Sequence, residues 1–242
     1  MNAEYISHVG AVREKNEDAV FCDKKAGLFA VADGLGGHLA GEVASATAVR
    51  ILAETFWRTH EEDAALVLRE AFYEANSVLH EAGKAAEMAG MGTTMTAAAA
   101  RGDTLHIAHV GDSRVYLLRG ESIMRLTVDH TLVEEMVMKG LITRSAAKVH
   151  PKRNYITRAL GTGDQVEVDL TQVEVQPGDI LFLCTDGLSN HVKEQFILET
   201  GRAEGSWQDK LETLVQTAMA NGSTDNITAM FAVFEDHTED NK

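Results

Sequence analysis

Apolar positions along the first third of the chain change their period twice. Runs of strand character cover about 3–9, 19–23 and 28–33, and the last is the unbroken Phe29, Ala30, Val31, Ala32 that stops at Asp33. Two stretches of helical period follow. Over 41–59, Val43, Ala46, Val49, Ala53 and Phe56 form one predicted stripe; over 62–88, Ala64, Leu68, Ala71, Ala75, Val78 and Ala82 form another. A block of strands is then predicted from 92 to 127, followed by a helix in TLVEEMVMKG that ends at Gly140. VEVDLTQVEV, residues 166–175, alternates as a half-exposed strand does, whereas DILFLCTDG is a continuous, buried one. Ser206 and Asp209 cap a helix over about 206–221 that stops at Gly222, and NITAMFAVF closes the pattern as a strand.

Strands in runs, separated by blocks of helix, predict an α+β fold in which antiparallel sheets are covered by helix pairs. Strict βαβ alternation is missing, which argues against a doubly wound parallel sheet. There is no fixed-period repeat and no Pro- or Ser-rich linker, and the only prolines are Pro151 and Pro177. Strands begin by residue 5 and end by about 234, so residues 1–242 are expected to form a single domain.

Charge narrows the partners. With 22 basic and 37 acidic residues the net charge is 22 − 37 = −15, which disfavours nucleic acid and anionic membranes. It leaves room for carboxylates gathered around cations. No apolar run approaches the roughly 20 residues of a membrane span, and the N-terminus lacks the pattern of a secretory signal. Cys22 and Cys184 lie in apolar runs, which predicts buried free thiols and a cytoplasmic location.

Acids recur where apolar strands begin or stop. Asp33 ends one run, Asp112 follows LHIAHVG, Asp186 follows LFLCT, and Asp225 precedes the final strand. Glu17 and Asp18 open an early strand four and five residues after Arg13. One Asp beside Gly is usually a turn residue. Five such points in one chain are different: converging carboxylates about 4 Å apart repel by roughly 4 kcal/mol per pair at an effective dielectric near 20. A cation makes such a cluster tolerable, and an all-oxygen donor set points to Mg²⁺ or Mn²⁺ over zinc.

RxxNED at 13–18, ADGLGGH at 32–38, GMGTT at 90–94, HVGDSRVY at 109–116, CTDGL at 184–188 and STDNIT at 223–228 resemble, in order, the signature motifs of the metal-dependent serine/threonine protein phosphatases of type 2C, bacterial branch. The resemblance covers about residues 5–234 and implies a four-layer αββα sandwich: two antiparallel sheets flanked by helix pairs. It implies two Mn²⁺ or Mg²⁺ ions per chain, bridged by Asp33, with the Gly34 carbonyl on one of them. By the same resemblance Asp186 and Asp225 complete the first metal's shell, Glu17 and Asp18 act through bound waters, and Asp112 joins Asp186 on a third, weaker ion. A hydroxide between the metals would attack phosphorus, and Arg13 would hold the phosphoryl oxygens. From spacing alone, an (i, i+4) surface ion pair with Glu17 is the better reading of Arg13; the motif favours the phosphate ligand. His38 either protonates the leaving alkoxide or holds its loop. Thr93 and Thr94 are expected to be structural, and Asn226 to orient Asp225 through its side chain. Neither cysteine sits in a CxxxxxR loop, so no thiol nucleophile is expected.

Residues 141–164 carry Arg144, Lys148, Lys152, Arg153 and Arg158 with no acid before Asp164. Taken alone this is a solvated loop. In the resembled family it is a mobile flap beside the metals, suited to attract acidic phosphoprotein segments. The implied activity is hydrolysis of phosphoserine and phosphothreonine by a monomeric enzyme opposing a serine/threonine kinase, with the kinase or a forkhead-associated protein as partner. The other function class is a metal-binding pseudophosphatase or phosphoprotein scaffold without turnover; intact Asp33, Asp186 and Asp225 favour the enzyme.

Overall fold

Every strand pair in the computed structural model, which describes residues 1–36, 40–59, 63–85 and 88–235, is antiparallel. The first sheet contains β1 (Asn2–His8), β7 (Arg114–Arg119), β8 (Ser122–Arg125), β10 (Ile180–Cys184) and β11 (Ile227–Val233), in the order β1-β11-β10-β7-β8. The second contains β2 (Asp18–Asp23), β3 (Leu28–Leu35), β5 (Met95–Arg101), β6 (Thr104–Val110) and β9 (Asp169–Glu174) in that order, with the two-residue β4 (Gly92–Thr93) paired to β3.

The continuous apolar runs are explained by burial of strands on both faces. In β3, Phe29 and Val31 face the other sheet, while Leu28, Ala30 and Ala32 face helices. In β11, Met230 and Ala232 lie between the sheets, while Ile227, Ala229 and Phe231 pack outward. The helices α1 (Ala40–Arg58) and α2 (Ala64–Ala82) cover the second sheet; α6 (Glu194–Arg202) and α7 (Trp207–Ala220) cover the first. The result is the expected αββα sandwich.

The helix stripes match the sequence expectation in part: Val49, Ala53 and Phe56 of α1 and Ala64, Leu68, Ala71 and Ala75 of α2 are buried as predicted. On α1 the buried line runs through Ala40, Ala44, Ala48 and Leu52, and Val43 and Ala46 are exposed. On α2 it runs through Leu68, Ala71, Phe72, Ala75 and Leu79, and Val78 and Ala82 are exposed. Small and large residues share this layer: Ala44, Ala48, Ala71 and Ala75 are buried with Leu52, Leu68, Phe72 and Leu79 in one cluster that includes Ala97 and Ala99 of β5. The capping pair predicted for α7 is present: Ser206 Oγ accepts from Asp209 N–H at 3.1 Å and donates to Asp209 Oδ2 at 2.7 Å. Among the described residues no helix is long and apolar enough to cross a membrane, and both cysteines are free, Cys184 buried and Cys22 half-buried.

The segment 141–164 is not one loop. It follows α3 (Leu132–Met138) and contains the short helix α4 (Arg144–Lys148), capped by Thr143 Oγ1. Its far end is part of the core. Leu160 is fully buried and exchanges backbone hydrogen bonds of 2.9 and 3.1 Å with Thr93, and Gly161 N–H donates to Asn76 Oδ1 of α2 at 2.8 Å. Residues 141–158 are all exposed or half-buried, and burial begins at Ala159.

Candidate active site

Acids from both sheets meet at one end of the sandwich. Asp33 lies two residues before the end of β3 and is the direct register partner of Asp18, the first residue of β2. Asp112 lies in the turn between β6 and β7, Asp186 opens the one-turn helix α5 (Asp186–Ser189) after β10, and Asp225 immediately precedes Asn226 and β11. Close backbone packing draws these segments together. A Cβ on Gly34 would sit 2.1 Å from Gly41 O at the start of α1, and one on Gly187 would sit 2.0 Å from Asn226 O. Only glycine fits at either place, so two glycines of the ADGLGGH and CTDGL motifs serve segment packing.

Hydrogen bonds set each acid. Asp33 N–H donates to Thr94 Oγ1 at 2.9 Å, and its carbonyl accepts from Thr93 Oγ1 at 2.8 Å and Thr94 N–H at 2.9 Å. Both threonines are fully buried and hold the Asp33 backbone, as expected of structural residues. Thr185 Oγ1 donates to Asp18 Oδ2 at 2.9 Å, and Asn190 Nδ2 donates to Asp186 Oδ2 at 3.1 Å. The reading of residue patterns missed both partners; their signal is position alone, one residue before Asp186 and one helical turn after it.

Asn226 corrects an expectation. Its side chain does not bind the Asp225 carboxylate; its backbone N–H does, at 2.8 Å. The amide instead ties down residues 9–17: Nδ2 donates to Val9 O at 2.9 Å and Lys15 O at 2.8 Å, and Oδ1 accepts from Glu17 N–H at 2.8 Å. That places Glu17 beside Gly34, whose N–H donates to Glu17 O at 3.0 Å. A side-chain amide can satisfy backbone groups of both signs, which a carboxylate partner would not need. Arg13 does not pair with Glu17. Its Nη2 donates to Asp225 Oδ2 at 2.9 Å, at the half-exposed rim of the cluster. His38 lies outside the described residues.

The acids share one electrostatic field. Burial raises the Asp33 carboxyl well above the usual carboxylate range, and Asp18, Asp186, Asp112 and Asp225 push it further. Burial likewise raises Asp18, to about 7, against hydrogen bonds from Thr228 and Thr185. Asp112 is raised by burial and then by Asp186, and Asp186 by burial and then by Asp225. Protonating several buried carboxyls is one way to relieve such crowding; binding cations is the other. Oxygens Oδ1 of Asp18, Asp112 and Asp186 are buried and have no hydrogen-bond partner. Three orphaned carboxylate oxygens in one acid cluster fit hard-cation ligation, because each lacks the donor a buried acceptor requires. Among the described residues no three acidic, histidine or cysteine side chains already close as a cage. Mg²⁺-type ions keep several waters and take only one or two carboxylates each, so an open set still suits them.

The family description Protein phosphatase 2C matches residues 8–232. The chain belongs to the protein phosphatase 2C family. The serine/threonine phosphatase Stp of Listeria innocua is 39% identical over 238 residues, covering 95% of this chain and 94% of Stp. The crystal structure of the Mycobacterium tuberculosis serine/threonine phosphatase PstP superposes with a TM-score of 0.89 at 38% identity, covering 97% of this chain and 99% of that one. A structure of the PstP catalytic domain in complex with two manganese ions matches at 37% identity with a TM-score of 0.87, covering 97% of this chain and 98% of that one. As a protein phosphatase 2C family member with relatives so named, the chain is a serine/threonine protein phosphatase.

Proposed function

We propose that the chain is a single catalytic domain that hydrolyses phosphoserine and phosphothreonine on proteins at the Asp33 cluster, with divalent cations held by its carboxylates. The observation that carries this reading is the set of three buried, unpartnered carboxylate oxygens on Asp18, Asp112 and Asp186, in one field with Asp33 and Asp225. In this reading Asp33, the Gly34 carbonyl, Asp186 and Asp225 hold two cations, Glu17 and Asp18 orient their waters, and Asp112 with Asp186 holds a weaker third. The PstP structure with two manganese ions supports Mn²⁺ or Mg²⁺ as the cations. When bound, two such ions lower the pKa of a water between them and neutralise phosphoryl charge.

The chain's own groups do the rest. Thr93 and Thr94 fix the Asp33 backbone so that its carboxylate keeps one place through the reaction. Arg13, at the rim beside Asp225, presents a planar fork to the phosphoryl oxygens and carries the substrate's charge. Its bond to Asp225 keeps the guanidinium at the mouth of the cluster before substrate arrives. His38, four residues after Gly34, is proposed to give the leaving alkoxide its proton. The biological role we assign is reversal of a serine/threonine kinase in the cytoplasm, by a monomer.

Asp33→Asn tests the assignment. It removes one charge and little packing, so the variant should melt at or above the wild-type temperature in chelator and lose nearly all turnover of para-nitrophenyl phosphate in Mn²⁺. A variant with wild-type turnover would leave Asp33 outside the chemistry.

A further inference from the structure

Asp112 is buried, 5% exposed, and its turn is gripped on both sides by two consecutive residues of another segment. On one side Gly111 and His130 exchange two hydrogen bonds. His130 N–H donates to Gly111 O at 2.8 Å, and Gly111 N–H donates to His130 Nδ1 at 3.0 Å. On the other side the Arg114 guanidinium donates to Asp129, from Nε to Oδ1 at 3.0 Å and from Nη2 to Oδ2 at 2.6 Å. Arg125 Nη2 holds Asp129 Oδ1 in turn, at 2.8 Å. Residues 129 and 130 thus fix residues 111 and 114, which flank Asp112.

The geometry defines the imidazole's role. Nδ1 accepts from the Gly111 backbone N–H, and Nε2 faces both Asp169 Oδ2 at 3.1 Å and Arg158 Nη1 at 3.0 Å. Arg158 Nη1 reaches Asp169 Oδ1 at 2.6 Å, and the His130 carbonyl accepts from Thr157 N–H at 2.8 Å. The His109 ring packs against His130 with centroids 4.7 Å apart, and both its nitrogens are taken, by Thr96 Oγ1 at 2.8 Å and Val128 O at 3.0 Å. His130 therefore has no freedom to swing away. Asp112 Oδ1 has no partner, so this carboxylate is placed by its backbone turn.

We propose that His130 is a positioning residue whose Nδ1, through Gly111 N–H, sets the place of Asp112 and with it the affinity of the cation site that Asp112 shares with Asp186. The inference rests on the proposed reading of Asp112 as a cation ligand. It extends to the chain beyond: the same residue carries the Thr157 backbone, so the root of the exposed segment and the Asp112 turn share one joint.

Calorimetric Mn²⁺ titration of the full chain tests it with three variants. In His130→Asn the amide oxygen occupies the place of Nδ1 and can still take the Gly111 N–H. In His130→Gln the amide reaches the place of Nε2 and Asp169, leaving Gly111 N–H unpaired. Partners that orient a metal ligand are typically worth 10–100-fold in affinity, so His130→Gln should weaken the weakest site by about that factor and leave the tighter sites unchanged. His130→Asn should stay near wild type, and Asp112→Asn should lose the weakest site. A His130→Gln isotherm matching wild type, while Asp112→Asn loses the site, would overturn the positioning role alone. Equal loss in the Asn and Gln variants would overturn it too, by showing a merely structural ring. Retention of every site in Asp112→Asn would overturn the Asp112 reading and this inference together. The wild type gives a check that needs no variant. During Mg²⁺ titration, the Gly111 amide and His130 ring ¹⁵N resonances should move with occupancy of the weakest site, and movement that follows only the tighter sites would contradict the proposal.

Discussion

Asp18 and Asp33 face one another as register partners across the β2–β3 ladder. Like charges directly opposite on paired strands are destabilising, and here both carboxyls are raised by burial and by further acids. The metal-free protein should therefore hold protons at this site that the unfolded chain would release. Its stability contribution is present below the ordinary Asp range near pH 4 and is lost as pH rises toward about 7, the value for Asp18. Melting temperature in chelator should fall from pH 5 to pH 8 relative to the Mn²⁺-loaded protein, so that the gap widens with pH. Asp18→Asn should flatten that slope and raise the chelated melting temperature at pH 8 by about 2–4 °C, the equivalent of about 1 kcal/mol for a domain of this size. A gap that stays constant with pH would contradict the shared field.

Arg13 is bonded to Asp225 at the half-exposed rim of the acid cluster. If it binds phosphate equally in the ground and transition states, Arg13→Ala should raise KM with kcat little changed. The expected loss in kcat/KM is about 10–150-fold, from the roughly 1.5–3 kcal/mol of a charge-assisted hydrogen bond. Arg13→Lys should recover only part, since a point charge cannot make the bidentate contact. Steady-state kinetics on para-nitrophenyl phosphate would decide, and unchanged parameters would reduce Arg13 to a rim ion pair.

Among the five basic residues of 141–158 the structure separates two kinds. Arg144 pairs with Glu134 at 3.1 Å, and Arg158 pairs with Asp169 and Glu167. Lys148, Lys152 and Arg153 make no ion pair among the described residues and are exposed. Neutralising those three should leave small-molecule turnover intact and lower kcat/KM on a phosphoprotein, because steering acts on encounter. The difference should shrink as salt rises and the Debye length falls from about 10 Å at 0.1 M to about 3 Å at 1 M. Equal losses on both substrates would assign the segment to the catalytic site instead.

Much of this was legible in the chain because strand ends carry acids in a pattern that burial alone would not produce. The apolar runs at Phe29–Ala32 and Leu181–Cys184 are buried on both faces, so periodicity placed them well. The helix faces were harder. Val43 and Val78 are apolar enough to suggest core, yet both are exposed, one position away from buried residues such as Ala44 and Leu79. The turn α5 and the nine-residue α6 carry too few periods to announce themselves, and Lys193 gives α6 no side-chain cap. Long-range polar partners left no periodic trace at all. Asn226 to Glu17 spans 209 residues and Thr185 to Asp18 spans 167, and only the folded chain brings them within hydrogen-bond reach.

The most direct test of the whole account is turnover of a phosphoserine or phosphothreonine peptide by the full chain before chelation, in excess chelator, and after Mn²⁺ is restored, with bound manganese counted in the same samples. The account predicts activity that disappears in chelator, returns with Mn²⁺, and scales with at least two ions bound per chain. Full activity in excess chelator with no ion bound would contradict it.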